Sequence, residues 1–335
     1  MSSQWPLIIA ATTSVFAVIG VGAAVRRIGW LSEEADRSLL KLVINLFLPC
    51  LIFTVVADNP AMKQAGNVLL APAVGFGALL VGLAAAMLAT RLGPRLTGLH
   101  DAAQRRTFAL SVGTYNYGFL PLPLVKVLFG DRTLGVLFVH NVGVGLALWT
   151  IGIMMLSGAA GRRWWRRMVN PPSLAVVVAL AVNYLDPVQR LPHVAQAGLG
   201  ILRTAIEWLG EATVPVALVL VGATMADELR SGGGTMGRAD SAKVVAWSCL
   251  LRLVLLPLTI LGAAVLLPAS YDLKCVLVVE AAMPSAVFPV LLARHYGGDP
   301  GTALRAVVST SLLSLLTIPI WISIGLEWVG APTGP

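Results

Sequence analysis

The segment 114-TYNYGFLPLPLV-125 interrupts an otherwise apolar run with one asparagine, two tyrosines, a glycine and two prolines. Proline removes a backbone donor and clashes with the preceding helical turn, but it is well tolerated at the first position of a helix. Carbonyl groups that such a break exposes in lipid need partners from the protein or from a watery cavity. The segment therefore predicts a membrane-spanning helix that is broken before Pro121, with its second half beginning there.

The composition indicates a membrane protein. Hydrophobic residues make up 57% of the 335 residues, charged residues make up 12%, and the mean hydropathy is +0.83. A soluble domain carries about 25% charged residues, so this chain has too little polar surface to face water on all sides. The net charge of +8 is dispersed over short loops, which is typical of membrane orientation and not of a phosphate-binding stripe. We therefore expect contact with membrane lipids and no nucleic-acid partner.

Ten apolar segments are each close to the roughly 20 residues that a spanning helix needs. They lie at about 6–25, 38–57, 68–90, 106–128, 133–157, 172–188, 199–226, 243–267, 274–296 and 303–326. The first segment is not a signal peptide, because Arg26 and Arg27 follow the apolar run instead of preceding it. The sequence therefore predicts an all-α membrane protein of ten transmembrane helices.

Lys and Arg are concentrated in the odd-numbered loops between these segments. The even-numbered loops and their flanks hold only Lys63, Lys126, Arg132, Arg190, Arg203 and Lys274. The positive-inside rule then places the odd-numbered loops in the cytoplasm and both termini outside. We expect an integral protein of a bacterial inner (plasma) membrane with both termini extracytoplasmic.

The two halves of the chain resemble each other in the positions of their helix-breaking residues. A shift of 168 residues places Pro121 on Pro289 and Asn116 on Pro284. Because five is an odd number, a repeated five-helix unit must insert in the opposite orientation. We therefore predict two inverted repeats, residues 1–160 and 171–330, with broken crossover helices at the fourth and ninth spans.

The paired breaks predict a binding site. The second half-helices would begin at Pro121 and Pro289, and their N-termini would present positive dipole ends and N–H groups near the bilayer midplane. Asn116 would add amide donors, so an anion is the expected ligand. Prolines that merely kink a helix are the alternative, but matched breaks in matched halves favour a site.

Two charged residues within the spans have competing interpretations. Glu280, one turn before the second break, could bind a proton or Na⁺ for coupling. Alternatively, it lies near the extracellular end of its span and reaches the interface or pairs with Lys274. Arg252 could neutralise a substrate or pair with Glu280, or it could snorkel to the cytoplasmic face.

Other polar residues are weaker candidates. His140 could relay protons or only pack through hydrogen bonds. Glu211, close to Pro215, is a candidate for the cavity and for coupling, and Asn45 is a candidate contact on the scaffold side. The small polar residues of the tenth span, including Thr310, are typical of close helix packing.

The sequence contains no pattern of an enzyme or a metal protein. It lacks the H-E-x-x-H and G-x-S-x-G motifs, and its glycine-rich stretch GGGTMG lacks the G-K-[ST] of a phosphate-binding loop. Its three cysteines, Cys50, Cys249 and Cys275, lie in or beside apolar segments and suggest no pairing. We predict no catalytic residues, no metal site and no cofactor.

Several segments resemble the auxin efflux carrier family along nearly the whole chain. They are IGWLSEEADRSLLKLVINLFLPCLIF, NYGFLPLPLV, NPPSLA, VPVALVLVGATMA and EAAMPSAVFPVLLARHYGGDP, in the family's order. The family's plant members have a long cytoplasmic loop between the halves, whereas only GRRWWRRMVN separates them here, as in a compact bacterial-type member.

The resemblance implies a scaffold of spans 1, 2, 6 and 7, often forming a homodimer, and a transport domain of spans 3–5 and 8–10 that moves in elevator fashion. It also implies that Asn116 holds a substrate carboxylate. Thr114, Tyr117 and Ser285, beside the two breaks, join it as candidate contacts. Family substrates are mostly organic anions such as malate, malonate or indole-3-acetate.

These observations predict a transporter of small organic anions, secondary active or facilitative, that works by alternating access. One alternative is a non-transporting membrane sensor of a small molecule or lipid. Another is a carrier coupled to Na⁺ or H⁺ through a cation site. Substrate identity, transport direction and coupling stay open at the level of sequence.

Overall fold

A computed structural model describes residues 5–157, 169–185, 193–230 and 236–330 of the chain. Most of the basic linker GRRWWRRMVN between the predicted halves lies outside these ranges. The described helices are α1 Trp5–Arg27, α2 Glu33–Ala57, α3 Gly66–Thr90, α4 Ala102–Gly113, α5 Pro121–Ser157, α6 Pro171–Leu185, α7 His193–Glu211, α8 Thr213–Arg230, α9 Arg238–Leu266, α10 Tyr271–Ala282, α11 Phe288–Tyr296 and α12 Pro300–Val329. The protein is all-helical over the described residues, as predicted.

Seven helical stretches are long and apolar enough to cross a membrane. They are α1, α2, α3, α5, the stretch Gly198–Asp227 within α7 and α8, α9 and α12. The fourth and ninth predicted spans do not meet this length criterion because each is divided into two helices. α6 is apolar but shorter. The count of ten spans in two inverted repeats therefore remains a prediction.

Helix starts follow from capping side chains. Ser32 accepts a hydrogen bond from the Ala35 N–H (3.2 Å), so α2 begins with an acidic first turn five residues before the predicted start of that span. Asp101 caps α4 in the same way, accepting from the Gln104 N–H (2.8 Å). The second predicted span, 38–57, therefore ends at the predicted residue, Ala57, but its polar first turn was missed.

The seventh predicted span, 199–226, is not one continuous helix. The structure ends α7 at Glu211 and starts α8 at Thr213. Pro215 has no N–H to donate to the Glu211 carbonyl four residues earlier, and proline is accommodated in the first turn of a helix. The proline thus accounts for the interruption.

Prolines also explain wide turns inside three long helices. Five-residue π-helical turns at Val43–Phe47, Gly66–Leu70 and Leu251–Leu255 each end two residues before a proline. Each proline leaves one carbonyl without its usual donor, which the chain accommodates locally. In α9 the indole Nε1–H of Trp321 donates to the Leu253 carbonyl (2.7 Å), the group that Pro257 cannot bond. This wide turn carries Arg252.

Glycines permit the closest helix contacts. α1 and α8 pack extensively, and their backbones meet at Gly22 and Gly222. A Cβ on Gly22 would lie against the backbone of Val219, and one on Gly222 against the backbone of Ile19. Small residues that let backbones approach are typical of helix pairs in membranes.

A Gly22→Ala substitution should lower thermal stability, because the added methyl group must push α8 away from α1. We expect a loss of about 1–3 kcal/mol, the range for overpacking a close contact. Gly20→Ala on the same helix is the matched control, since a Cβ there meets nothing within 4 Å. Thermal unfolding of the purified proteins in detergent compares them, and equal melting temperatures would contradict the contact.

Candidate functional site

The two predicted breaks are present and meet each other. α4 ends at Gly113 and α5 begins at Pro121, while α10 ends at Ala282 and α11 begins at Phe288. Between these ends, Tyr115 and Ser285 form an isolated antiparallel bridge. We refer to the two extended segments, 114–120 and 283–287, as the crossing.

Backbone hydrogen bonds between the segments hold the crossing together. The Asn116 N–H donates to the Pro284 carbonyl (2.7 Å), and the Ala286 N–H donates to the Thr114 carbonyl (2.9 Å). These bonds satisfy polar backbone groups that would otherwise be costly inside a membrane. The 168-residue shift had aligned Asn116 with Pro284, and the structure places these two residues in direct contact.

Side chains from neighbouring helices complete the crossing. The Ser285 N–H donates to the Thr310 hydroxyl on α12 (3.2 Å). The Asn141 amide on α5 donates to the Tyr117 carbonyl (2.7 Å), and its oxygen lies 3.2 Å from Nδ1 of His140. His140 is therefore a buried residue at the edge of the crossing, joined to it through Asn141.

Both half-helices begin as predicted, at Pro121 and with Pro289 in the first turn of α11. Their N-termini contribute positive dipole ends beside the crossing. The first turn of α5 contains both Pro121 and Pro123, so it has fewer free N–H groups than an ordinary helix start. The first break therefore offers fewer backbone donors than the sequence led us to expect.

Several polar side chains of the crossing have unused hydrogen-bonding capacity. Asn116 is half-buried, and its side-chain amide forms no hydrogen bond with the described residues. Thr114 and Ser285 are fully buried, and neither hydroxyl has a partner within the described part of the chain. The crossing thus brings Asn116, Thr114 and Ser285 together, with open donors and acceptors.

Two buried ionisable side chains, Arg252 and Glu280, belong to the helices that pack around the crossing. Arg252 and Glu280 are 1% and 0% exposed. The Arg252 guanidinium lies 5.5 Å from the centre of the Tyr115 ring, which belongs to the crossing. The two interpretations that placed Glu280 at the membrane interface and Arg252 at the cytoplasmic face are therefore wrong, because both side chains are enclosed by packed helices.

A cavity of about 310 Å³ adjoins the first break. It is lined by Ile44, Leu48, Ile52, Tyr117, Gly118, Phe119, Leu122, Phe138, Asn141, Val142, Gly145, Trp149, Asn170, Pro172, Ser173 and Val176. Its walls come from α2, α5, the start of α6 and the first segment of the crossing. They are mainly apolar and carry no acidic or basic side chain, so they suit the uncharged part of a ligand.

Two predicted site residues lie apart from the crossing. Asn45 is exposed, and its amide donates to the Lys41 carbonyl within α2 (2.8 Å). Glu211 is exposed at the end of α7, where it lines a separate open cavity of about 290 Å³ with Pro123 and Lys126. The structure gives neither residue a contact with Asn116 or Ser285.

Sequence reasoning missed Tyr115 and the bridging part played by Asn141. Tyr115 stands in the quoted TYNY stretch, but no pattern distinguished it from Tyr117. Asn141 was noticed only beside His140. Their positions depend on contacts between segments 24 or more residues apart, which spacing along one helix cannot show.

Comparison with known proteins gives consistent matches. The model of a family described as membrane transport protein matches residues 7–163 and 160–322. An uncharacterised transporter of Methanothermobacter thermautotrophicus is 28% identical over 313 residues, covering 92% of this chain and 95% of that protein. An uncharacterised transporter of Methanocaldococcus jannaschii is 24% identical over 311 residues, with the same coverage of 92% and 95%. The protein PIN-LIKES 3 of Arabidopsis thaliana is 25% identical over 160 residues, 45% of this chain and 39% of that protein.

Thr310→Val should destabilise the crossing, because valine keeps the shape but cannot accept the hydrogen bond from the Ser285 N–H. Leaving this buried N–H unpaired costs about 1–3 kcal/mol. Amide hydrogen exchange at Ser285 and the melting temperature measure the effect. Thr310→Ser should retain both values. Ser309→Ala is the matched control, because that hydroxyl donates to the Arg305 and Ala306 carbonyls of its own helix and not to the crossing. A Thr310→Val protein that matches this control would argue against the contact.

Proposed function

The chain belongs to the membrane transport protein family, the family of the auxin efflux carriers, and we propose that it carries small organic anions, with the crossing as their binding site. The observation that carries this proposal is the Asn116 side-chain amide, which has no hydrogen-bond partner in the described part of the chain, on a backbone fixed by the bond from its N–H to Pro284. The amide offers two donors to a carboxylate. It lies beside two half-helix N-termini whose dipoles also favour negative charge.

The surroundings of the crossing support an organic anion over an inorganic one. The adjoining cavity is apolar and could hold a carbon skeleton while the carboxylate stays at Asn116. Arg252 adds positive charge behind the crossing. Malate, malonate and auxin-like acids all combine a carboxylate with such a skeleton, so they form the substrate class to test.

We further propose the arrangement of ten spans in two inverted repeats, residues 1–160 and 171–330. The shift that pairs Asn116 with Pro284, and their direct contact at the crossing, support this arrangement. In it, α4 with the part of α5 before Gly130, where the backbone leaves the helical conformation (φ 79°), is the fourth span, and α10 with α11 is the ninth. The five-helix repeat before the basic linker and the repeat after it would then have opposite orientations in the membrane.

The grouping of the helices supports our proposal of transport by an elevator movement. α2 packs with α6 and α7, and α1 packs with α8, whereas α3, α4 and α5 pack together and α10 packs with α5, α9 and α12. The first group corresponds to the proposed scaffold, and the second to the proposed transport domain. The cavity beside the crossing has walls from both groups, as a substrate chamber between a fixed and a moving domain requires.

We propose that the protein resides in a bacterial inner membrane with both termini outside, and that it forms a homodimer through the scaffold. The charge bias of the odd-numbered loops supports this orientation. The substrate and the surrounding lipids are then its other partners.

Asn116→Ala should weaken binding and transport of the substrate acid. Losing a hydrogen bond to a charged group costs about 1.5–3 kcal/mol, or roughly 10- to 100-fold in affinity. Asn116→Asp keeps the shape but places a negative charge at the site, so it should weaken binding further. Currents from proteoliposomes on a solid-supported membrane, with malate, malonate and indole-3-acetate, measure the effect.

Thr54→Ala controls for general effects of a substitution, because that hydroxyl bonds only the Cys50 carbonyl of its own helix. Unchanged currents in both Asn116 variants would place the site elsewhere. A panel with no current and no ligand-induced stabilisation would count against an anion carrier, whereas stabilisation without flux would favour a sensor. Currents that require Na⁺ would favour a carrier with a cation site.

Cysteine labelling should locate the loops. In a protein with Cys50, Cys249 and Cys275 replaced, a cysteine at Arg95 should react only from the cytoplasmic side. A cysteine at Lys63 should react with an impermeant reagent from outside, because the two loops flank the same helix α3. Labelling of both positions from one side would reject the proposed topology.

A further inference from the structure

The cavity of about 310 Å³ beside the first break begins next to the Asn116 amide. A Cβ built on Gly118, which lines the cavity, would lie 3.8 Å from Oδ1 of Asn116. Tyr117 and Asn141 line it as well, and the Asn141 amide donates to the Tyr117 carbonyl (2.7 Å). An acid whose carboxylate binds Asn116 would therefore place the rest of its molecule in this cavity.

Two helix faces form the apolar walls of the cavity. Ile44, Leu48 and Ile52 of α2 recur every four residues and so share one face. The lining residues of α5, from Phe138 to Trp149, follow the same helical spacing. Among the described residues that line the cavity none is acidic or basic, and the polar side chains are Tyr117, Asn141, Asn170 and Ser173.

A second carboxylate on the ligand would meet no charged partner in these described walls. Arg252 lies over the Tyr115 ring, but neither residue lines the cavity. Moving a carboxylate from water into apolar surroundings without a partner is costly, whereas a methyl group or a ring in the same place gains from leaving water. The walls therefore favour an acid with one carboxylate and an apolar body.

Gly145 leaves a gap in the α5 wall. It lies between Val142 and Trp149 on the same face, and a Cβ there would meet nothing within 4 Å. Gly143, two residues earlier, is required for packing, because a Cβ there would overlap the Pro72 carbonyl. No described neighbour requires a glycine at position 145, so its missing side chain enlarges the cavity without serving a helix contact.

The gap lies one helical turn from the residue that joins α5 to the crossing. Gly145 follows Asn141 by four residues, about 6 Å along the helix, and Trp149 is one turn further. The Trp149 ring packs edge-on against Phe288 at the start of α11, with ring centres 5.4 Å apart. A volume of about 310 Å³ equals that of roughly ten water molecules, which suits a single ring or a short chain.

We infer that this cavity selects monocarboxylates with an apolar ring or chain over dicarboxylates, and that Gly145 sets the size of the body that fits. The inference rests on the proposed function and narrows its substrate class. Malate and malonate are then weak ligands, because each would place a second carboxylate against the apolar walls.

Matched pairs of acids test the selection. Malonate has a carboxylate where propionate has a methyl group, and succinate differs from butyrate in the same way. Calorimetry of the purified protein in detergent, at a pH where all four acids are fully ionised, should show each monoacid binding at least about tenfold tighter than its partner. Butyrate should bind about fourfold tighter than propionate, the gain for one buried methylene, and phenylacetate tighter still.

Substitutions of Gly145 test the size limit. Gly145→Leu should fill the gap and weaken phenylacetate by at least about tenfold, whereas propionate, which is too short to reach it, should lose less than about threefold. Gly77→Leu on α3 makes the same change where a Cβ also meets nothing within 4 Å, and Gly77 does not line the cavity, so both affinities should stay as in the wild type. Asn116→Ala should instead weaken every acid by a similar factor, because all of them share the carboxylate.

Several results would overturn the inference. One is malonate or succinate binding tighter than its matched monoacid. Another is Gly145→Leu leaving phenylacetate unchanged or weakening it no more than propionate. An affinity that keeps rising through hexanoate to dodecanoate would indicate an open groove for a lipid tail and no size limit. If Gly145→Leu does not fold, Gly145→Ala and the wild-type ranking of the acid pairs decide.

Uptake measurements distinguish failure of this inference from failure of the proposed function. Proteoliposomes should take up labelled phenylacetate faster than protein-free vesicles, and Gly145→Leu should slow this uptake. Preferential uptake of malonate would leave an anion carrier but reject the selection. Absence of both binding and uptake for every acid would reject the proposed function instead.

Discussion

The fold depends on one constraint: within a membrane every backbone polar group must find a partner inside the protein. Long helices meet this requirement by themselves, but the segments around Pro121 and Pro289 cannot. The structure meets it by crossing the two broken helices, so that Asn116 bonds Pro284 and Ala286 bonds Thr114. Each break supplies the partners for the other. Neither could be removed alone without leaving unpaired groups, and the necessary pairing also fixes the positions of the surrounding side chains.

The same constraint explains which polar side chains lack hydrogen-bond partners among the described residues. Pro257 is preceded by the wide turn Leu251–Leu255 of α9. This turn carries Arg252, which lies over the Tyr115 ring inside the bundle. α10 ends at the crossing and leaves Glu280 buried one turn before its end. The crossing pairs its backbone groups, while the side chains of Asn116, Arg252 and Glu280 keep donors and acceptors without partners among the described residues. Buried polar atoms without partners are costly, which supports our proposal that a ligand binds beside them.

Glycine and small polar residues let continuous helices pack closely around the crossing. Gly113 ends α4 where a Cβ would lie 2.7 Å from the backbone nitrogen of Leu83, so α3 can hold the end of the broken helix closely. Thr310 on α12 holds Ser285 on the other side. The crossing is therefore supported by continuous helices on both flanks, whereas the apolar cavity opens towards α2 and α6. A rigid site next to a separate group of helices is what a moving transport domain would need.

The sequence by itself determined the membrane class, the all-helical fold, the family and the two places where helices break, because hydropathy and proline act locally and each leaves a direct trace along the chain. It also placed Asn116, Thr114 and Ser285 beside the breaks. It placed the seventh span, which the structure has as Gly198–Asp227, but it misjudged the start of α2 and did not show the interruption between α7 and α8. Capping and proline chemistry compete with hydropathy at these points. Only the tertiary structure decided that Glu280 and Arg252 are buried, that Arg252 lies over the Tyr115 ring of the crossing, and that Asn45 and Glu211 are apart from it. Burial and the pairing of distant charges depend on which helix faces meet, and that information is spread over segments far apart in the chain.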